Sequence, residues 1–248
     1  MRFVAALAAM AALFTALPAA AQKEKPEAPI LTGVTVAEEK PAVSAPLPTD
    51  KENQWVLDLS SGGRVTILLR PDAAPKMVER IKILTRRHFY DGTLFFRVND
   101  PPAEGMAQGG DPRNNGTGQS DLPDLPAEFS RLPHLRGTVS AARRGAPDGA
   151  TAEQVKAAEN SANSQFFIMF SPKLGFDEKY SVFGRVISGM EWVDGIQRGE
   201  PPANPTKIVH AYIGSDNPPA YQNEAPKIVL PEGEKEVTLP GAPPAPPQ

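Results

Sequence analysis

The sequence of 248 residues contains no cysteine. That absence excludes disulfide bonds, thiolate metal sites and lipid attachment through a cysteine, although it does not select a cellular compartment. Histidine is scarce too: His88, His134 and His210 are far apart in the chain and show no metal-ligand spacing. We therefore interpret them as solvated or core side chains, and we expect neither a metal ion nor a cofactor.

An excess of charge is also missing, since 26 Lys and Arg oppose 29 Asp and Glu. A mildly acidic chain without a basic block offers no electrostatic argument for nucleic-acid binding. The acidic residues Asp121, Asp124 and Glu128 lie near one loop, but proximity in sequence does not define a catalytic carboxylate pair. The hydrophobic content of 40% supports a folded core.

Long apolar runs are absent except at the N-terminus, where Arg2 precedes an Ala- and Leu-rich stretch that ends at Ala19-Ala20-Ala21. One positive residue, an apolar stretch and a small-residue end predict a secretory signal over residues 1–21, cleaved before Gln22. The alternative is an uncleaved membrane anchor, which alanine and Pro18 disfavour. We therefore expect a periplasmic protein with no membrane span after cleavage.

Composition divides the remainder of the chain into three parts. Residues 22–53 are rich in Pro, Ala, Lys and Glu and predict a flexible linker. Residues 54–215 predict the folded domain. Residues 216–248 end in a proline-rich sequence and predict a disordered tail.

Within the central part, Trp55 to Leu59 and Arg64 to Leu69 flank a Ser-Gly-Gly turn and predict a hairpin. Pro75 opens a predicted helix that runs to about Phe89. Ser188 and Glu191 have capping-box spacing and predict a second helix. The β-branched segment from Thr206 to Ile213 predicts a closing strand.

The most informative segments combine an arginine, glutamines and aromatic residues. Phe95-Phe96-Arg97-Val98 places an arginine in an apolar strand, which is costly unless its charge is paired or reaches water or a ligand. Met106-Ala107-Gln108-Gly109-Gly110-Asp111 and Asn115-Gly116-Thr117-Gly118 follow. Later come Asn160 to Phe170, which contains NSQFF, and Tyr180 to Val186.

These segments, in this order, give the chain a sequence that resembles the cyclophilins, the peptidyl-prolyl cis-trans isomerases, from about Trp55 to Ser215. The resemblance implies a mainly β fold, a closed antiparallel β-barrel capped by two α-helices. It also implies an isomerase that assists the folding of exported proteins and binds proline-containing polypeptides. We expect a monomer.

The resemblance assigns a role to single residues. Arg97 matches the catalytic arginine, with Phe95 supporting it. Residues that match the substrate-binding positions are Phe95, Met106, Gln108, Gly116, Ala142, Gln165, Phe167, Phe176 and Tyr180.

The chain departs from the family pattern at several positions, of which three concern the proline pocket and the lengths of its loops. Gly105 stands where the family commonly has a phenylalanine of the proline pocket, and the loop at 99–104 is longer than usual. Residues 143–159 form an insertion in which Thr151 and Gln154 predict a short capped helix. A solvated insertion is favoured over a substrate-contacting flap. These departures keep one alternative open, a catalytically weak module that binds proline segments, or a chaperone.

Overall fold

The computed structural model describes residues 44–99 and 105–217. The predicted signal, the loop at 100–104, most of the predicted linker and nearly all of the predicted tail lie outside the described residues. No helix in the described ranges is both long and apolar enough to cross a membrane.

In the described part of the chain, eight strands form a single antiparallel sheet, and the predicted hairpin is its first pair. The spatial order of the strands is β3-β4-β6-β5-β7-β2-β1-β8. Their bounds are β1 Gln54–Leu59, β2 Arg64–Leu69, β3 Arg97–Asn99, β4 Met106–Gly109, β5 Thr138–Ala141, β6 Phe166–Met169, β7 Val182–Ser188 and β8 Ile208–Ile213.

The sheet is open, so the prediction of a closed barrel is wrong on this point. Within the described residues, β3 and β8 are the two edges and do not pair. Ahead of β3 the chain does reach the start of β8: the N–H of Phe95 donates to Thr206 at 2.9 Å and that of Ile208 to Thr93 at 2.8 Å, around an isolated bridge between Leu94 and Lys207. The reason lies in β3, which has three residues and whose outer edge at Val98 pairs with Gly199 instead. A loop thus covers the edge that closure of the barrel would need.

Three α-helices accompany the sheet in the described residues: α1 Pro75–Arg86, α2 Ala152–Glu159 and α3 Met190–Asp194. Helices α1 and α3 correspond to the two expected at the ends of the sheet, and α2 is the short helix predicted in the insertion. Helix α1 lies against β7 and β8, and α3 lies against β2. The N-terminus of α1 is capped by Glu128, whose two carboxylate oxygens accept hydrogen bonds from the backbone N–H groups of Lys76 and Met77 at 3.0 and 2.9 Å. Glu128 is therefore a capping residue.

The predicted capping of two helices has opposite outcomes. Thr151 and Gln154 cap α2 reciprocally, as predicted. Ser188, in contrast, is the last residue of β7, and α3 begins after Gly189, which has φ of 81° and no side-chain cap. A Cβ on Gly189 would stand 2.1 Å from the carbonyl oxygen of Arg64, so only glycine fits this turn.

The main core fills one side of the sheet with buried aliphatic and aromatic residues. Trp55 is fully buried there and packs edge-on against Tyr90 and Phe166, with ring centroids 5.2 and 4.9 Å apart. Val98, Ala107, Val139 and Ile168 point to the same core from β3, β4, β5 and β6. Since side chains alternate along a strand, their neighbours on these four strands face the other side.

The ends of the folded body are fastened to each other. Glu52 lies in a short 3-10 helix, Lys51–Asn53, within the predicted linker, so folded structure begins ahead of the predicted boundary at residue 54. The hydroxyl of Ser215 donates to Glu52 at 2.6 Å. That bond, with those from Lys82 and Arg86, lowers the pKa of Glu52 to about 2 despite partial burial.

Candidate functional site

A row of four residues crosses β3, β4, β6 and β5 on the face opposite the main core. Arg97 pairs with Gln108, Gln108 with Phe167, and Phe167 with Ser140. The strand register places one cation, one amide and one aromatic ring side by side on a rigid surface. This row carries three of the residues that the sequence predicted for the site.

Beside this row lies a cavity of about 250 Å³, which we call the groove. Its apolar wall is a small cluster separate from the main core, built on Met106 and Phe167 and completed by Phe176 and Tyr180. The rings of Phe167, Phe176 and Tyr180 pack at centroid distances of 4.6 to 5.8 Å. The residues lining the groove are Arg97, Asn99, Met106, Gln108, Ala142, Arg143, Phe167, Lys173, Phe176 and Tyr180.

Arg97 stands at the border between the groove and a second cavity of about 440 Å³. Its side chain is 47% exposed, and its Nε donates to a carboxylate oxygen of Glu200 at 3.2 Å. Glu200 lines the second cavity and is not among the groove residues. The guanidinium is thus held from the side away from the apolar wall.

A chain of amide hydrogen bonds joins the groove to a third cavity of about 220 Å³. Nε2 of Gln108 donates to Oε1 of Gln165 at 2.9 Å. Gln165 in turn donates to the carbonyl oxygens of Gly116 and Gly118 at 3.2 and 2.7 Å. Because its N–H group is engaged in this chain, the amide oxygen of Gln108 is the end oriented to accept a further hydrogen bond.

The segment that carries Gly116 is folded around the buried side chain of Asp111. This carboxylate accepts hydrogen bonds from the backbone N–H groups of Arg113, Asn115 and Gly116 at 2.7, 3.0 and 2.6 Å. Burial alone raises the pKa of Asp111, but these bonds outweigh it and the pKa is lowered. A Cβ on Gly118 would stand 1.9 Å from the same carboxylate, so a residue with a side chain would clash at this position.

The structure brings nine of the ten predicted site residues to the groove or to the cavity next to it. Gly116 and Gln165 line the adjoining cavity, and Ala142 lines both. Phe95 is the exception, because it is fully buried in the main core against Phe166, with ring centroids 6.0 Å apart. Phe95 therefore does not reach the groove as a substrate contact.

Sequence reasoning did not assign Lys173, Glu200 or His134 to the site. Lys173 marks the first charge after the aromatic strand, and its ammonium lies 4.5 Å from the centre of the Phe176 ring. Arg143 lies over the Tyr180 ring at 4.8 Å. Two cations therefore flank the aromatic wall in addition to Arg97.

His134 supports the groove from behind. Its fully buried ring stacks on Phe167 at 6.1 Å between centroids. Nδ1 contacts the carboxylate of Asp177 at 2.9 Å, so this nitrogen carries the hydrogen, and Nε2 accepts from the hydroxyl of Ser140 at 3.0 Å. Burial lowers the pKa of His134, although Asp177 acts in the opposite direction.

This arrangement combines an apolar pocket, a permanent cation and an oriented amide. It suits a ligand that presents an apolar ring next to a polar backbone group. The cation is placed to donate hydrogen bonds at the border of the pocket.

Comparison with known proteins gives a consistent result. The family model described as cyclophilin type peptidyl-prolyl cis-trans isomerase/CLD matches residues 56–213. A probable peptidyl-prolyl cis-trans isomerase of Brucella suis is 42% identical over 188 residues, covering 71% of this chain and 89% of that protein.

Solved structures agree with the sequence relatives. A cyclophilin from Hirschia baltica has a TM-score of 0.58 and 27% identity, over 68% of this chain and 77% of that one. A Cryptosporidium parvum cyclophilin-type isomerase, solved in the presence of the dipeptide Ala-Pro, has a TM-score of 0.55 and 22% identity. That second match covers 64% of this chain and 98% of the other, and it shows likeness of fold.

Proposed function

The chain belongs to the cyclophilin-type peptidyl-prolyl cis-trans isomerases, and we propose that Arg97 is its catalytic residue and that its substrates are exported polypeptides. The proposal is carried by the row in which Arg97, Gln108 and Phe167 stand side by side at the groove.

The chemistry requires no covalent intermediate. Rotation about an X–Pro bond crosses a barrier of about 18–20 kcal/mol because amide resonance must be broken. An enzyme accelerates the rotation by binding the twisted amide more tightly than either planar isomer. As the bond twists, the prolyl nitrogen regains its lone pair and becomes a hydrogen-bond acceptor. A donor placed there therefore acts mainly on the transition state.

Arg97 is the donor in this mechanism, since its charge is permanent and its N–H groups form a planar fork. Met106, Phe167 and Phe176 form the apolar surface for the proline ring. The amide oxygen of Gln108 accepts a hydrogen bond from the substrate backbone or from the guanidinium. Gly105, which stands where the family commonly has an aromatic wall residue, is buried, and its carbonyl oxygen accepts from the N–H of Phe170 at 2.9 Å.

The test is a protease-coupled isomerisation assay on an Ala-Pro peptide with the Arg97→Ala variant. We expect kcat/KM to fall by about 10²–10³-fold, the scale of losing one preorganised donor to a transition state. Peptide binding, followed by NMR titration, should be retained. Arg185→Ala removes an exposed arginine of β7 outside the groove and serves as the control.

One result would replace the proposed enzyme by its rival. If neither the native protein nor Arg97→Ala raises the rate above the uncatalysed one while peptide is still bound, the groove is a binding module or chaperone without turnover. The role in export is tested by refolding an exported protein whose slow phase is proline isomerisation. That phase should become faster with the native protein and not with Arg97→Ala.

A further inference from the structure

The edge of β3 is covered by residues 198–202, which we call the strap. Val98 and Gly199 exchange two backbone hydrogen bonds, each 2.8 Å long. The strap therefore lies directly beside the strand that carries Arg97. Glu200, the next residue, is placed by this pairing at the level of the guanidinium.

The backbone of the strap is fixed without the side chain of Glu200. Gly199 has φ of 144°, and a Cβ there would stand 2.5 Å from Cα of Pro202, so the turn requires glycine. On the other side, the guanidinium of Arg198 lies 4.0 Å from the centre of the Phe170 ring and donates to the carbonyl oxygen of Asp194 at 2.8 Å. A substitution at Glu200 should thus leave the strap in place.

The contact between Glu200 and Arg97 is an exposed ion pair, with both side chains 47% exposed. Such pairs contribute little to folding stability. The contact nevertheless restricts a long side chain with several rotatable bonds, and it uses Nε, which is one of five donors of the guanidinium. With Nε held by Glu200, the remaining N–H groups of the guanidinium keep a fixed direction. How well they stabilise the twisted amide then depends on where that direction points.

We propose that Glu200 is a positioning residue that holds the guanidinium of Arg97 at the border of the groove. The carboxylate lies on the side of the second cavity, away from the apolar wall that receives the proline ring. Its negative charge weakens the field of Arg97 only slightly, because both groups are half exposed to water. We expect the gain from orientation to exceed the loss from partial neutralisation.

This inference rests on the proposed catalytic role of Arg97, and it makes a separate prediction about kinetics. Glu200→Ala should lower kcat by about threefold to fivefold, the scale of one exposed ion pair, with KM unchanged. Glu200→Gln keeps an oxygen acceptor at the same distance and should retain most of the activity. In NMR relaxation, the Nε–H group of Arg97 should become more mobile in Glu200→Ala and not in Glu200→Gln.

A double-mutant cycle shows whether Glu200 acts through Arg97. In an Arg97→Ala background, measured at high enzyme concentration by NMR exchange spectroscopy, Glu200→Ala should have no further effect. Asp216→Asn is the matched control, because Asp216 forms an ion pair of similar exposure with Arg86. It should leave kcat unchanged.

Three results would overturn the inference: an unchanged or raised kcat in Glu200→Ala, an equal loss in the Arg97→Ala background, or an unchanged mobility of the Arg97 Nε–H group. Any of these, with Arg97→Ala still impaired, would leave the proposed catalytic role intact. Full activity of Arg97→Ala would instead overturn both.

Discussion

His134 connects the chemistry of one buried side chain to the stability of the groove. Its ring is stacked on Phe167 and lies edge-on to Phe176 and Tyr180, at centroid distances of 5.8 and 6.3 Å. Both ring nitrogens are hydrogen-bonded, to Asp177 and to Ser140. The neutral ring fits this position, and a proton on Nε2 would face the Ser140 hydroxyl in a site without access to water.

Folding should therefore become less favourable as the pH falls. The folded-state pKa of His134 is lowered by burial, while the unfolded chain titrates near the ordinary value of about 6.5. Below that pH the unfolded state binds the proton more readily, so the free energy of unfolding decreases, by at most about 1.4 kcal/mol per pH unit. Urea denaturation at pH 7.5 and pH 5.5 should show this loss.

The His134→Gln variant isolates the contribution of this ring. Its free energy of unfolding should depend less on pH between 5.5 and 7.5 than that of the native protein. His210→Gln removes a histidine that is 53% exposed and should keep the native dependence. An identical pH dependence in the native protein and His134→Gln would show that other groups cause the effect.

The residues on strands were predictable from sequence, whereas their partners from distant loops were not. Arg97, Gln108 and Phe167 were found because their local motifs match a family pattern. Glu200 lies 103 positions after Arg97, and Asp177 lies 43 positions after His134. The local sequence pattern does not predict these long-range side-chain contacts, because they form when loops pack onto the folded sheet.

At the scale of elements, strand pairs joined by short turns were predictable, and the edges of the sheet were not. The hairpin of β1 and β2 follows from alternation and a glycine turn. The openness of the sheet depends on the strap, whose pairing with Val98 has no sequence signature. The start of α3 was misplaced because Ser188 has capping-box spacing, although the strand extends to it and Gly189 makes the turn.

Helix α2 is either part of a solvated insertion or part of a flap that contacts the substrate, and a variant that destabilises the helix can distinguish the two. Among its residues only Ala158 is buried, and Val155 is 39% exposed. Thr151→Ala removes the reciprocal cap at a cost of about 1 kcal/mol to the helix. We expect amide hydrogen exchange in α2 to rise by about fivefold, since the helix opens locally. The melting temperature and kcat/KM should stay unchanged.

Thr151→Ser keeps the hydroxyl that accepts from the N–H of Gln154 and is the matched control for this variant. Its exchange rates should equal those of the native protein. A fall in kcat/KM that accompanies the increased exchange in Thr151→Ala would assign α2 to the substrate surface. That result would favour the flap.

At the scale of the whole molecule, the groove is more positive than the chain that carries it. The formal net charge is −3, yet Arg97, Arg143 and Lys173 all line the groove. Fields from such clustered charges extend about 8–10 Å at ordinary ionic strength. We therefore expect isomerisation of a peptide with acidic residues near proline to have a lower KM than that of its lysine counterpart, and the difference to shrink as salt is added.

If the substrates are exported polypeptides, the protein itself must be exported to reach them. We propose that residues 1–21 direct secretion and are removed, because one arginine, a weakly apolar run and Ala19-Ala20-Ala21 match a cleavable signal better than an anchor. The full chain produced in a bacterium should be found in the periplasmic fraction, with Gln22 as its first residue by mass spectrometry. Replacing Ala19 and Ala21 by glutamate should block cleavage and retain the precursor at the membrane. Recovery of a native chain that still carries Met1 to Ala21 in the membrane fraction would instead identify the segment as an anchor.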